Sequence, residues 1–120
     1  MSNSIFAKLK VGYSPWGQID EKRKLAEGIF RIETASHGGI LLDNVHIERI
    51  SAMFPDFEPF TGDWQWLEED CDATLAILAF PEAFSKTHVQ FAISEVKGNP
   101  YFHVPDTFWE GKQGKLLNSI

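Results

Sequence analysis

Positive charge is scarce in this chain. Its 11 Lys and Arg stand against 17 Asp and Glu, leaving a net charge of −6. Affinity for nucleic acid comes largely from Lys and Arg neutralising phosphates, so direct nucleic-acid binding is not expected. One basic run survives, Lys22-Arg23-Lys24, but Asp20, Glu21 and Glu27 flank it. Cysteine is scarcer still. Cys71 is alone, which excludes an intrachain disulfide and a Cys-rich zinc site. A lone thiol suits a reducing cytoplasm. The longest apolar run, Ala76-Ile77-Leu78-Ala79-Phe80, is far too short to span a bilayer. The opening stretch MSNSIFAKLKVGYSPWG lacks the apolar run of a signal peptide. The expectation is a cytoplasmic protein without membrane contact. Repeats, linkers and low-complexity tracts are missing as well, and the length fits a single domain over residues 1–120.

What the chain does have is apolar and aromatic. Hydrophobic residues make up 43% of it, with 10 Phe and 4 Trp, enough for a substantial core. Ser14-Pro15-Trp16-Gly17 reads as a turn. Residues 18–28 are charged enough for a helix, yet Gly28 and the strand pattern after it favour a polar edge strand. Residues 29–35 alternate: Phe30, Ile32 and Thr34 face one way, and Ile29, Arg31, Glu33 and Ala35 the other. Period two predicts a strand. Residues 39–43 are its hairpin partner across Ser36-His37-Gly38-Gly39. Gly38 and Gly39 are expected to supply positive φ, with Ser36 or His37 bonding the exposed backbone.

Helical spacing follows. Asp43 or Asn44 can cap a segment in which Ile47, Ile50 and Phe54 form a stripe. Asp63 is placed to cap a helix over 64–79, with Trp64, Leu67, Cys71, Leu75 and Leu78 on one buried stripe. Glu68, Glu69, Asp70 and Asp72 then cover its solvent side near the positive end of its dipole. Trp66 falls off the stripe, as a second packing face or an exposed anchor. Pro81 ends that helix. A last helix over 86–97 buries Val89, Ala92, Ile93 and Val96 and stops at Gly98. The first half of the tail should pack and its last residues fray. Strands first and helices after predict an α+β domain: a small antiparallel sheet, with its N-terminal hairpin, packed on about three helices.

Several chemistries can be weighed on these residues. A Cys71–His37 pair could be nucleophile and base, but a reactive thiolate needs positive neighbours, and Cys71 lies among four carboxylates. Its place on the stripe points to a structural thiol. The four histidines, His37, His46, His88 and His103, are scattered and form no metal-binding pair, so neither metal nor cofactor is expected. Ser36-His37-Gly38-Gly39 lacks the Lys-Ser/Thr ending of a phosphate loop. It resembles an oxyanion loop, but the chain has no Gly-x-Ser-x-Gly nucleophile turn to serve it. The acidic residues have a bland reading, as a solvated helix face. They also have a sharper one, as a surface that imitates phosphates and meets a basic channel in a partner.

Three blocks in order carry a resemblance: Ser14-Pro15-Trp16-Gly17, Ala35-Ser36-His37-Gly38-Gly39, and Glu68-Glu69-Asp70-Cys71 with Phe80-Pro81-Glu82. Across residues 14–84 the chain resembles a bacterial domain of unknown function carried by phages, plasmids and other mobile elements. Leu67 stands where the family pattern has an aromatic. The resemblance implies no activity, only a genomic setting in which small accessory proteins bind host machinery. The leading expectation is therefore a small acidic protein-binding module acting on a host protein, such as a nuclease or defence complex that itself handles nucleic acid. Glu68, Glu69, Asp70, Asp72 and Trp66 would form its binding surface. The alternative is a small hydrolase centred on His37 with Glu69 and Cys71. A third reading is a domain that only oligomerises.

Overall fold

A computed structural model describes residues 12–120 of the protein. The stretch read above for a missing apolar leader lies, up to residue 11, outside the described residues. Strands β1 (Tyr13–Ser14), β2 (Gly17–Ala26), β3 (Ile29–Thr34) and β4 (Gly38–Leu42) precede helix α1 (Asn44–Met53). Strand β5 (Trp66–Glu68) follows, then helices α2 (Ala73–Ala79), α3 (Lys86–Val96), α4 (Asp106–Glu110) and α5 (Lys112–Asn118). The strands make one antiparallel sheet in the order β1-β2-β3-β4-β5. The fold is α+β, as the strand-then-helix order predicts, with five described helices rather than about three. The tail accounts for the difference. Helices α4 and α5 bury Trp109 and Leu117, and Ile120 packs partly buried against the core instead of fraying. No described helix is long and apolar enough to cross a membrane.

The β2–β3 hairpin turns at Glu27-Gly28, where Gly28 takes φ +81°, a conformation other residues adopt at a steric cost. Alternation along β3 holds. Ile29 and Arg31 pair with Leu42 and Ile40 of β4, and this side faces the helices. Phe30 and Ile32 pair with Leu41 and Gly39 and look away from them. Strand β4, flanked by β3 and β5, is buried at all five positions. Asp43 caps α1 by accepting the His46 N–H at 3.0 Å. Ile50 and Phe54 of that region, Leu75 and Leu78 of α2, and Val89, Ala92 and Val96 of α3 close over Ile40, Leu42 and Leu67. Gly98 stops the α3 region with φ +78°.

The helix expected over 64–79 is the principal correction. Its first half is not helical: β5 and a turn occupy residues 66–72, and only 73–79 coil. The free edge of β4 decides the matter. An unpaired strand edge leaves backbone donors and acceptors without partners. Residues 65–69 supply them: the Leu42 N–H donates to the Gln65 carbonyl and the Glu69 N–H to the Gly38 carbonyl, both at 3.0 Å, at the two ends of the pairing. Asp63 caps no helix. Its carboxylate instead accepts the Gln65 N–H at 2.8 Å, closing a turn that feeds β5. Leu67, Leu75 and Leu78 are buried as the stripe requires, but from two separate elements.

Candidate functional site

Antiparallel register sorts the sheet's side chains onto two faces. The face turned away from the helices carries Phe30, Ile32, Gly39, Leu41, Trp66 and Glu68. Gly38 and Gly39 were expected to form the turn with positive φ. They lie in β4 instead, and neither has positive φ. The turn is closed by Thr34, whose hydroxyl donates to the His37 carbonyl at 2.6 Å and accepts the His37 N–H at 3.0 Å. The glycines serve close approach. A Cβ on Gly39 would overlap the Leu67 carbonyl and stand 2.5 Å from the Trp16 ring. One on Gly38 would stand 3.1 Å from the Glu69 carboxylate. Trp16 thus lies over the bare Gly39 backbone and meets Trp66 edge-on, with centroids 6.1 Å apart and planes at 87°.

Beside this pair runs the loop from Phe54 to Gln65. Its inward residues, Phe54, Phe57 and Pro59, are buried. Phe60 points out and is 80% exposed, the highest value for any large apolar side chain among the described residues. The loop is pinned at that point. Asp72 is wholly buried, and its carboxylate accepts the Phe60 backbone N–H at 2.6 Å and the Tyr101 hydroxyl at 2.9 Å. Gly62, with φ +78°, turns the chain back, and the Thr61 hydroxyl lies 3.0 Å from the Asp63 and Trp66 carbonyls. Pro15, Trp16, Phe60, Thr61, Asp63 and Trp66 line one pocket of about 460 Å³.

The residues singled out from sequence separate into several environments. Trp66 lies in the pocket, half-buried. Glu68 is half-buried, with Oε2 3.8 Å from His37 Nδ1. Glu69 turns to the opposite face, where it and Glu33 hold Arg31 at 3.2 and 3.3 Å. That trio, with His88, Phe84 and Phe91, borders clefts between the sheet and α3. Asp70 is exposed on the turn. Asp72 is overturned as an exposed acidic-face residue: it is a buried anchor. Cys71 is half-buried; burial raises its thiol pKa first, and the Asp72 and Glu68 charges add to the rise, which a hydrogen bond with Tyr101 partly offsets. Tyr101 is also shifted upward, by burial and by its bonds to Cys71 and Asp72. His37 and Glu69 line one shallow cleft together with Ser36 and Gly38, and Cys71 is not among its lining residues. Among the described residues no group of three or more His, Cys, Asp or Glu is placed to hold a metal.

Sequence reasoning passed over Phe60, Asp56 and Glu58 and gave Asp63 only a capping role; all four are exposed. A signal for them existed in the charge distribution. Between Arg49 and Lys86 there is no Lys or Arg, while Asp56, Glu58, Asp63, Glu68, Glu69, Asp70, Asp72 and Glu82 all fall there. The basic side chains of the aromatic face, Lys22 and Lys24, stand on β2, with β3 and β4 between them and Trp66.

An α+β domain with an acidic, aromatic loop surface is the class these features define. The chain belongs to the family described as a domain of unknown function (DUF7007), whose model matches residues 10–118. No curated protein and no solved structure matches it.

Proposed function

We propose that this domain is a protein-binding module that docks its acidic aromatic loop on a basic region of a partner, itself a protein that handles nucleic acid. Phe60 carries this reading. A lone exposed apolar residue is ordinary, but this one is 80% exposed while its backbone is tied to a buried carboxylate. A rigid, protruding aromatic among carboxylates has the form of an interface anchor. The exposed acids Asp56, Glu58, Asp63 and Asp70 would steer a positively charged partner toward it. Carriage by phages or other mobile elements, a bacterial cytoplasm as the setting, and inhibition of a host nuclease or defence complex complete the proposal. The resemblance of the three sequence blocks supports the first and last of these, and the single thiol supports the second.

The test is capture from bacterial lysate by tagged wild type, by Phe60→Ala and by the reversal Asp56→Lys with Glu58→Lys. A specific partner retained by wild type, lost by both variants and weakened by salt is the expected result. Undiminished capture by both variants overturns the reading. The 3.8 Å approach of His37 to Glu68 keeps a second reading in view, a His37-centred hydrolase. His37→Ala separates the two, because it should leave partner capture intact if the loop is the site.

A further inference from the structure

We infer that the pocket between Trp16, Trp66 and Phe60 receives an arginine side chain of the partner, an inference that rests on the docking reading above and names its central contact. The pocket combines aromatic walls with a single carboxylate. Its two indoles stand at 87° to each other with centroids 6.1 Å apart. Phe60 supplies a further ring and Asp63 the carboxylate. Asp63 Oδ1 is engaged by the Gln65 N–H at 2.8 Å, and Oδ2 has no hydrogen-bond partner among the described residues.

Ring faces attract cations, tryptophan most of all. The molecule already uses this contact internally: Lys22 lies over Phe30, Arg49 over Phe80 and Lys97 over Trp109. Trp16 and Trp66 hold no such cation among the described residues. An anion would be repelled by Asp63, and a purely apolar group would strip water from that carboxylate without replacing it. A guanidinium satisfies both parts of the pocket. It is planar and weakly hydrated, so it stacks on one indole while its in-plane N–H groups reach Oδ2. An ammonium is more strongly hydrated and has no face to stack. The pocket, at about 460 Å³, has room for such a group and part of its stem.

The experiment titrates the intact protein with a short Arg-Gly repeat peptide and with a Lys-Gly peptide of equal charge, at low ionic strength, following indole N–H resonances. The Arg peptide should shift Trp16 and Trp66 but not Trp64 or Trp109, and should bind about tenfold more tightly than the Lys peptide. Phe60→Ala should weaken the Arg peptide. So should Asp63→Asn, which keeps the acceptor for the Gln65 N–H and removes only the charge. If both peptides bind equally, leave the indoles unmoved and are weakened only by reversal of Asp56 and Glu58, the arginine pocket is overturned while the acidic docking surface stands. If neither peptide binds and Phe60→Ala leaves partner capture unchanged, both inferences fall.

Discussion

Replacing Asp72 with alanine removes the carboxylate that ties the loop from Phe54 to Gln65 to the rest of the molecule. Asp72 is wholly buried and accepts two hydrogen bonds, from the Phe60 N–H at 2.6 Å and the Tyr101 hydroxyl at 2.9 Å. A bond to an ionised group contributes about 1.5–3 kcal/mol net. Tyr101 is 43% exposed and can regain water when its partner goes. The desolvation cost of the buried carboxylate is also relieved, which offsets part of the loss. These terms set the cost of Asp72→Ala at about 3 kcal/mol, a fall in Tm of about 12 °C for a domain of this size. Asp72→Asn keeps one acceptor oxygen and should cost about half as much. Tyr101→Phe, which removes the weaker partner, should cost about 1 kcal/mol. Urea unfolding of the three variants measures these values, and hydrogen exchange of the Phe60 amide reports the tether directly. An acid on a solvated helix face would change stability by no more than about 0.5 kcal/mol on replacement. A value that small for Asp72→Ala, with the Phe60 amide still protected, would refute the anchor.

Gly39→Ala should destabilise the protein by about 1–3 kcal/mol through overpacking, because the Leu67 carbonyl and the Trp16 ring occupy the space its methyl needs; denaturant unfolding measures the cost, and a neutral result would mean that Trp16 is not seated there. Cys71 should label slowly with a thiol reagent in the native state at neutral pH and quickly once unfolded, since burial raises its pKa. Asp43→Ala should cost about 1 kcal/mol at neutral pH as a lost N-cap. Hydrogen bonds from His46 lower the Asp43 pKa in the folded state, so its contribution is complete above the unfolded value and fades as pH falls through the folded one. The difference between wild type and Asp43→Ala should therefore shrink below about pH 4, as unfolding curves against pH will register.

Local patterns were enough for several elements. The alternation of residues 29–34 specifies β3, whose side chains alternate between the two sides of the sheet, and the spacing of Ile47, Ile50 and Phe54 specifies α1, which turns Ile50 into the core. Residues 64–72 misled for a physical reason. Trp64, Leu67, Cys71, Leu75 and Leu78 satisfy a helical period, yet the unpaired edge of β4 captures the first part of that stretch. No window of sequence contains that edge. Gly38 and Gly39 misled in the same way: glycine signals either a turn or a close neighbour, and here the neighbours, Glu69 and Trp16, are distant in sequence. Asp72 looked like one more surface acid because its partners, Phe60 and Tyr101, lie 12 and 29 residues away. The acid-only stretch from 50 to 85 was the legible part of the candidate surface, and the position of Phe60 within it was not.

Asp72 grips the backbone amide of residue 60 and leaves its side chain alone. The frame of the loop is therefore indifferent to what that position displays. Evolution can vary residue 60, and with it the partner, without renegotiating the fold. Proline is the exception, since it has no N–H to give. In a library randomised at this position, binding should diversify among the variants while the loss of the Asp72 tether destabilises the proline variant alone.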